Sequence, residues 1–281
     1  MLGQASRLEH QPSGGMSPNV ADATWTISPF RVGSRAEFAR LKELFEHAGY
    51  TEAQLSERAG VSSVFDLWPT SSRRSFESIV DPQSLLVRLF FDGDSVSSNA
   101  LRDLLPPSHL EALLALELLH PLPSEAEMVS ATISIYPIED LHIASDRVSR
   151  LHTNSTTEVP GDIVFSPILP QTRGFLRLLP RERCDNFLEL CGGSGVAALV
   201  AGKRFAHHAT VVDITERSTR FATFNAALND VADVVTALRG DLYQPVGGQT
   251  FDLIVAHPRG YELDDELIEE IRKQSAGAGG R

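Results

Sequence analysis

The chain has 281 residues, and 25 Lys and Arg against 37 Asp and Glu give it a formal charge of −12. This acidic balance argues against a protein held on DNA or an anionic membrane by bulk charge, because phosphate binding relies on Lys and Arg. Only two cysteines occur, Cys184 and Cys191, which excludes a disulfide framework and a cysteine zinc site, and no metal site is predicted. Without an apolar run of membrane-spanning length or a signal-peptide core, we expect a soluble, cytoplasmic protein.

The N-terminal part begins with a low-complexity stretch and continues into helices. Residues 1–28 are rich in Gly, Ser, Pro and Gln, which predicts a disordered extension. Apolar residues at three- and four-residue spacing over 36–48 predict an amphipathic helix that Gly49 ends. Thr51 is placed to cap a second, short helix that ends at Gly60.

Apolar stripes predict three more helices, over residues 83–91, 98–105 and 108–119. Ser98 and Ser108 are expected to cap the last two. Alternation of apolar and polar residues over 129–135 then predicts a strand, and Pro137 is expected to turn the chain into a second strand. Helices followed by a hairpin are typical of a winged-helix-like module, which we assign to residues 29–148. Its excess of acidic residues favours packing or substrate presentation over direct binding of nucleic acid.

Composition also sets the remaining boundaries. Residues 149–162 are polar and contain Pro and Gly, which predicts a linker to a second domain over 163–261. Residues 262–281 read as an acidic amphipathic helix followed by a flexible tail.

The second domain alternates strand, glycine turn, helix and strand, which is typical of a parallel α/β sheet. Four strands are predicted, over residues 186–191, 209–213, 231–238 and 251–256. The glycine turn at 192–195 lets the backbone approach a ligand where the following helix points its N–H groups. Asp213 ends the second strand, where a carboxylate can accept hydrogen bonds from ribose hydroxyls. The pattern therefore predicts a site for an adenosine-containing cofactor.

The glycine turn alone leaves the identity of that cofactor open. Gly193 to Ala198 fits G-x-G-x-x-A and Asp213 follows at dinucleotide spacing, so an NAD-dependent oxidoreductase is one interpretation. Glu189, inside the first strand, argues against it, because an acid there would repel a pyrophosphate. It suits a cofactor with a positively charged amino acid end.

Four motifs then occur in order. Glu189-Leu-Cys-Gly-Gly-Ser-Gly195 resembles motif I of the class I S-adenosylmethionine-dependent methyltransferases, [DE]-x-G-x-G-x-G, with Cys191 where the first glycine is expected. Residues 212–214 are similar to motif II, 240–242 to motif III and 251–258 to motif IV. The fourth motif looks most like the small-domain group, which contains release-factor glutamine methyltransferases and N6-adenine methyltransferases and whose site reads [NDS]-P-P-[YF].

The resemblance implies a Rossmann-like sheet that binds S-adenosylmethionine through residues of the first three motifs: Glu189, Cys191, Gly192, Gly193, Gly195, Asp213, Ile214, Asp241 and Leu242. Glu189 and the glycines would line the methionine and ribose part, and Asp213 would hold the ribose. Asp241 and Leu242 would contact the adenine. The implied reaction is methyl transfer to a nitrogen of a nucleic acid base or of a protein side chain, so RNA, DNA and protein all remain as acceptors.

In the fourth motif the resemblance implies three catalytic residues, His257, Pro258 and Tyr261. In the family, a side-chain oxygen and a carbonyl accept hydrogen bonds from the amino group to be methylated. A neutral His257 nitrogen and the Pro258 carbonyl can do the same. Arg259 replaces the second proline, and Gly260 displaces Tyr261 by one position.

A complete sheet of this class has seven strands, whereas the sequence predicts four, so the chain is expected to be truncated after the fourth motif. The fourth strand would then be an open edge, and we expect a homodimer through it or aggregation. A helix over one face would leave the backbone groups of that edge unpaired. The alternative function is a non-catalytic cofactor- or partner-binding protein derived from such an enzyme.

Overall fold

The computed structural model describes residues 24–67, 76–122, 127–149 and 161–258. These residues all fall within one compact unit. Tyr261, the predicted helix and tail over 262–281 and most of the predicted linker lie outside the described residues. In the described ranges, no helix is both long and apolar enough to cross a membrane.

Short helices dominate the first half: α1 (Arg35–His47), α2 (Glu52–Ala59), a 3-10 turn (Val64–Leu67), α3 (Pro82–Leu86), a π-helical turn that continues it (Val87–Phe91), α4 (Ser98–Leu104) and α5 (Pro107–Ala115). The predicted stop of α1 at Gly49, which has φ +66°, and the predicted cap and stop of α2 are confirmed. The Thr51 side chain accepts a hydrogen bond from the backbone N–H of Gln54, and Gly60 ends α2 in the left-handed conformation at φ +67°.

The predicted caps of α4 and α5 are wrong. The cap of α4 lies one residue earlier than predicted, and α5 has no side-chain cap. Ser97 caps α4 by accepting from the N–H of Ala100, so Ser98 is the first helical residue. α5 begins at Pro107 without a side-chain cap, and Ser108 lies inside the helix. Pro107 has no N–H to satisfy at the first helical position, and the N–H of His109 donates to the Pro106 carbonyl at 3.0 Å.

The described residues of the same half form six strands: β1 (Thr24–Thr26), β2 (Val96–Ser97), β3 (Leu119–Pro121), β4 (Met128–Ala131), β5 (Ile133–Ile138) and β6 (Leu141–Ser149). They form two antiparallel sheets, in the orders β1-β6-β5 and β2-β4-β3. The alternating stretch predicted as one strand over 129–135 is therefore two strands in two sheets. Leu119, predicted to end a helix, begins β3.

Two further predictions, for the N-terminal extension and for Pro137, are wrong. Thr24–Thr26 pairs with the end of β6, so this part of the predicted disordered extension is a strand. Pro137 lies within β5, opposite His142, and does not form a turn. The N–H of His142 points away from β5 and donates to the side chain of Asn229 at 2.8 Å. Pro137 and His142 are thus a pair without backbone hydrogen bonds between them, so the missing N–H of Pro137 removes no hydrogen bond from the sheet.

The second half is one parallel sheet with its crossover helices. α6 (Pro170–Leu178) precedes β7 (Cys184–Leu190), α7 (Val196–Arg204), β8 (Ala206–Asp213), α8 (Glu216–Leu228), β9 (Val235–Arg239), a 3-10 turn (Gln244–Val246) and β10 (Leu253–Ala256). The strand order is β10-β7-β8-β9. All pairs are parallel, so the four predicted strands are confirmed and their carboxyl ends meet at one edge.

An aromatic cluster packs α8 against the first half of the chain. The Phe224 ring lies 4.9 Å from Phe38 on α1 and 5.5 Å from Phe30, and Phe30 lies 4.4 Å from Phe221. All four rings are buried. The boundary predicted between a domain over 29–148 and one over 163–261 stays a prediction, but the two stretches share this core.

Candidate cofactor and methyl-acceptor site

The turn between β7 and α7 depends on left-handed backbone. Gly193 and Gly195 have φ +53° and +76°, and Cys191 takes φ +54° in the place of the first glycine. The turn closes with a 2.7 Å hydrogen bond from the N–H of Gly195 to the carbonyl of Gly192. A side chain at Cys191 costs about 1 kcal/mol of backbone strain there.

The glycines of the turn serve two different purposes. A Cβ at Gly192 would collide with Cγ1 of Val211 on β8, and one at Gly195 would lie 3.1 Å from Cβ of Ala222 on α8. A Cβ at Gly193 would meet only Val164, at 4.0 Å. Packing beneath the turn therefore requires Gly192 and Gly195, while Gly193 lies on the open side that a ligand can approach.

Asp213 joins the end of β8 to this turn. Its Oδ2 accepts from the N–H of Gly193 at 2.9 Å, and its Oδ1 accepts from the N–H of Thr215 at 3.0 Å. Thr215 also caps α8. The Thr215 hydroxyl also donates to Oδ1, at 3.3 Å, so Oδ2 retains acceptor capacity for one ribose hydroxyl while the orientation of Asp213 is fixed.

Glu189 lies beneath the turn and is 1% exposed. Its carboxylate accepts from the N–H of Ala198 at 2.8 Å and of Ala197 at 3.3 Å, both in the first turn of α7. Burial, with a smaller contribution from Asp213, raises the pKa of Glu189 to about 7. Its predicted contact with the positive end of a cofactor stays a prediction.

The contacts of Glu189 bear directly on the choice of cofactor. Dinucleotide sites of the Rossmann type place the pyrophosphate on free N–H groups at the start of this helix. Here the Glu189 carboxylate already occupies two of them, at Ala197 and Ala198. Two N–H groups that would bind the pyrophosphate of NAD are therefore already occupied, which disfavours NAD in addition to the charge repulsion by Glu189.

Ile214, predicted to bind the cofactor, and Asp241 and Leu242, predicted to contact its adenine, follow β8 and β9 at the same edge. Ile214 is 65% exposed and Leu242 is 38% exposed at φ +44°. A hydrogen bond of 3.0 Å from the N–H of Gly240 to the carbonyl of Asp213 holds the two strand ends together. Asp241 is exposed beside Leu242. The structure thus brings an apolar and an acidic side chain to the predicted adenine position.

Cys191 is half-buried in the same turn. Burial raises the pKa of its thiol, and the nearby carboxylates of Asp213 and Asp241 raise it further. The side chain is therefore uncharged at neutral pH, and it lines the site as a small, weakly polar group.

The acceptor residues follow β10, which lies parallel to β7. The His257 ring stacks on Phe175 of α6 with centroids 4.7 Å apart and planes at 21°. Burial lowers the pKa of His257, so the ring is neutral at pH 7. The predicted role of Pro258, the next residue, stays a prediction, and Tyr261 lies beyond the described residues.

The sequence interpretation missed two residues near the site. Phe175 supports His257, and the available signal was an aromatic residue in the helix that precedes β7. Asn225 is a fully buried amide on the apolar stripe of α8, and its Nδ2 donates to the Ser194 carbonyl in the glycine turn at 2.9 Å. A polar residue at a helix position that faces the core was the signal for it.

Residues 167–277 match the family model "Methyltransferase small domain". The ribosomal protein uL3 glutamine methyltransferase of Bradyrhizobium diazoefficiens is 38% identical over 76 residues, which cover 26% of this chain and 24% of that protein. The release factor glutamine methyltransferase of Thermodesulfovibrio yellowstonii is 34% identical over 91 residues, 31% of this chain and 32% of that protein. The chain thus spans between a quarter and a third of the length of these relatives.

Among solved structures, a ribosomal protein L11 methylase from Lactobacillus delbrueckii subsp. bulgaricus aligns at 25% identity and a TM-score of 0.29, covering 35% of this chain and 47% of that one. The fold is assigned from the family match and the strand order. Residues 167–277 thus match a methyltransferase small domain, and the described part of that stretch has a Rossmann-like parallel sheet.

Proposed function

We propose that this protein is an S-adenosylmethionine-dependent methyltransferase that methylates a nitrogen of a protein side chain. The observation that carries the proposal is the pairing of an open glycine turn, aligned by Asp213, with a helix start whose N–H groups are taken by Glu189. This combination retains a ribose-binding edge and removes the pyrophosphate site.

The residues present fit S-adenosylmethionine. Gly193 offers open backbone, Asp213 retains acceptor capacity, and Leu242 with Asp241 provides an apolar and a polar contact at the predicted adenine position. Bound there, the cofactor supplies a methyl group on a sulfonium, which is already a strong electrophile. The protein therefore has to supply mainly orientation.

His257 and Pro258 would provide that orientation for the acceptor. The neutral ring of His257 can accept one hydrogen bond through its unprotonated nitrogen, and the Pro258 carbonyl can accept another. Two such bonds from one amino group fix the direction of its nitrogen lone pair. The stack on Phe175 holds the plane of the His257 ring. Tyr261 stays a predicted contact to the acceptor.

The choice of a protein acceptor rests on the relatives. The two proteins named above are glutamine methyltransferases of a ribosomal protein and of a release factor, and a third, from Thermotoga neapolitana, is a ribosomal protein L11 methyltransferase with 27% identity over 139 residues, 48% of this chain and 51% of that protein. Acceptors of this kind favour a protein of the translation machinery and a cytoplasmic location here too. The excess of acidic residues is consistent with a non-nucleic-acid acceptor.

Calorimetry with S-adenosylhomocysteine and with NAD tests the cofactor. We expect binding of the first and none of the second. Asp213→Ala should weaken the binding by about 1 to 3 kcal/mol, the scale for losing a charged hydrogen-bond partner. Asp233→Ala, at an exposed position before β9, is the matched control and should leave the affinity unchanged.

A labelled-methyl transfer assay with ribosomal proteins and release factors tests the reaction. Incorporation into protein that is lost with Asp213→Ala would support the proposal. Tighter binding of NAD would contradict the cofactor assignment, and incorporation only into RNA would contradict the acceptor. Cofactor binding without transfer to any of these acceptors would favour the non-catalytic alternative.

A further inference from the structure

Two asparagines on α8, Asn225 and Asn229, face the edge of β6 that β5 leaves free. The Asn229 side chain accepts from the N–H of His142 and donates to its carbonyl, both at 2.8 Å. The Asn225 side chain accepts from the N–H of Ala144 at 2.7 Å and donates to its carbonyl at 3.0 Å. Each amide thus pairs one residue of β6 as a neighbouring strand would.

The rise of one helical turn nearly matches the length of two strand residues, which explains why the two asparagines are four residues apart. Four residues of a helix rise about 6.0 Å, and two residues of a strand extend about 6.6 Å. Asn225 and Asn229 are four apart, and Ala144 and His142 are two apart. One helix face can therefore follow one strand edge with successive amides.

Asn225 makes one contact for which Asn229 has no counterpart. Its Nδ2 also donates to the Ser194 carbonyl of the glycine turn at 2.9 Å. The Nδ2 of Asn229 donates instead to the carbonyl of Asn225 in its own helix, at 2.8 Å. Asn225 is 0% exposed and Asn229 5% exposed. The two asparagines thus make equivalent contacts with β6, and only Asn225 also contacts the glycine turn.

A second set of contacts connects β6 to the open side of the same turn. The buried carboxylate of Asp146 accepts from Nε of Arg217 on α8 and, at 2.7 Å, from the N–H of Val164. Val164 is the residue that faces Gly193. Strand β6 is therefore tied to both sides of the turn, through Asn225 to Ser194 and through Asp146 to Val164.

We propose that Asn225 is a positioning residue for the cofactor site, which couples the glycine turn to strand β6. Because Ser194 is buried, its carbonyl has no water to replace the amide if Asn225 is removed. The position of β6 then sets the shape of the turn, so that the first half of the chain controls cofactor affinity. The effect on affinity rests on the proposed function, whereas the coupling of turn and strand does not.

The experiment compares Asn225→Ala with Asn229→Ala in the full chain by three measurements. These are the melting temperature, the affinity for S-adenosylhomocysteine and the rate at which the Cys191 thiol is alkylated, relative to Cys184. Both variants should lower the melting temperature. Only Asn225→Ala should weaken the affinity and speed the alkylation of Cys191, each by about tenfold, the scale for one lost buried hydrogen bond. Cys184, at the start of β7, is an internal reference for global unfolding.

The outcomes separate the two proposals. Equal effects of both variants on the Cys191 to Cys184 ratio would overturn the coupling, since Asn225 would then be structural only. If the unaltered chain binds no S-adenosylhomocysteine, the proposed function fails, while the alkylation ratio still decides the coupling. If Asn225→Ala does not fold, native-state hydrogen exchange of the unaltered chain decides it. The amides of Ala144 and Gly195 should open together with denaturant, and earlier opening of Gly195 would overturn the proposal.

Discussion

The proposed cofactor half of the site, around the glycine turn, and the proposed acceptor half, around His257, are built in different ways. In the cofactor half, Glu189 is 1% exposed, and the oxygens of Glu189 and Asp213 accept hydrogen bonds from backbone N–H groups. In the acceptor half, β10 is an edge strand among the described residues, Ile254 is 45% exposed, and the His257 ring stacks on Phe175. The interior of the fold fixes the first geometry, and a few surface contacts fix the second. Changes to the two halves should therefore have separable effects.

The largest effect should come from the charge of Glu189. Its pKa is raised from 4.5 to about 7, so the fold favours the protonated acid. The stability linked to this proton is complete below pH 4.5 and is lost as the pH rises through 7. Glu189→Gln, which carries no charge, should gain up to about 3 kcal/mol relative to the unaltered chain between pH 5 and pH 8.

Urea denaturation at both pH values measures this difference. Glu182→Gln, at an exposed position before β7, is the control and should show no pH-dependent difference. A difference between Glu189→Gln and the unaltered chain that stays constant from pH 5 to pH 8 would mean that Glu189 does not titrate as its burial indicates.

A smaller effect is expected from overpacking beneath the turn. Gly192→Ala places a methyl group against Val211 and should cost about 1 to 3 kcal/mol of stability and weaken cofactor binding. Gly193→Ala meets only Val164 at 4.0 Å, so its cost should be the roughly 1 kcal/mol of left-handed backbone. Thermal denaturation and calorimetry compare the two. An equal or larger loss of stability at Gly193 would contradict the division of the glycines into packing and open positions.

The smallest effect on the fold should come from the acceptor half. Phe175→Leu removes the stack on His257 and should cost no more than about 1 kcal/mol of stability, the scale of an aromatic pair. The affinity for S-adenosylhomocysteine should stay the same while kcat falls, because only the orientation of His257 changes. Leu178→Ala on the same helix, where Leu178 is 82% exposed, should change neither quantity. A parallel loss of cofactor affinity in Phe175→Leu would show that the halves are not separable.

Signals within a few residues of an element were enough to predict much of the fold. Thr51, Gly60 and Thr215 act as caps or stops through contacts with neighbouring residues, and the parallel strands β7 to β10 were recognisable as short apolar runs. Pairing between distant residues was not predictable from such signals. Thr24–Thr26 becomes a strand only because Arg147, Val148 and Ser149 lie beside it.

The same distinction holds for the site. The glycine turn and Asp213 follow from motif spacing, and the structure joins them through the N–H of Gly193. The partners of Asn225 include Ala144, 81 residues earlier in the chain, and no local pattern indicates that contact. Phe175 and His257 likewise meet only because β10 returns beside β7. Sequence motifs therefore identified the residues of the proposed cofactor half, but not the long-range contacts that hold them in place.

The asparagine pair on α8 also covers part of an otherwise free strand edge. A strand edge with free N–H and C=O groups is a template on which a strand of another molecule can assemble. Along β6, the amides of Asn225 and Asn229 engage both backbone groups of Ala144 and His142, so an incoming strand would first have to displace them. The amide side chains at four-residue spacing on α8 thus cover this part of the β6 edge and disfavour the addition of another strand there.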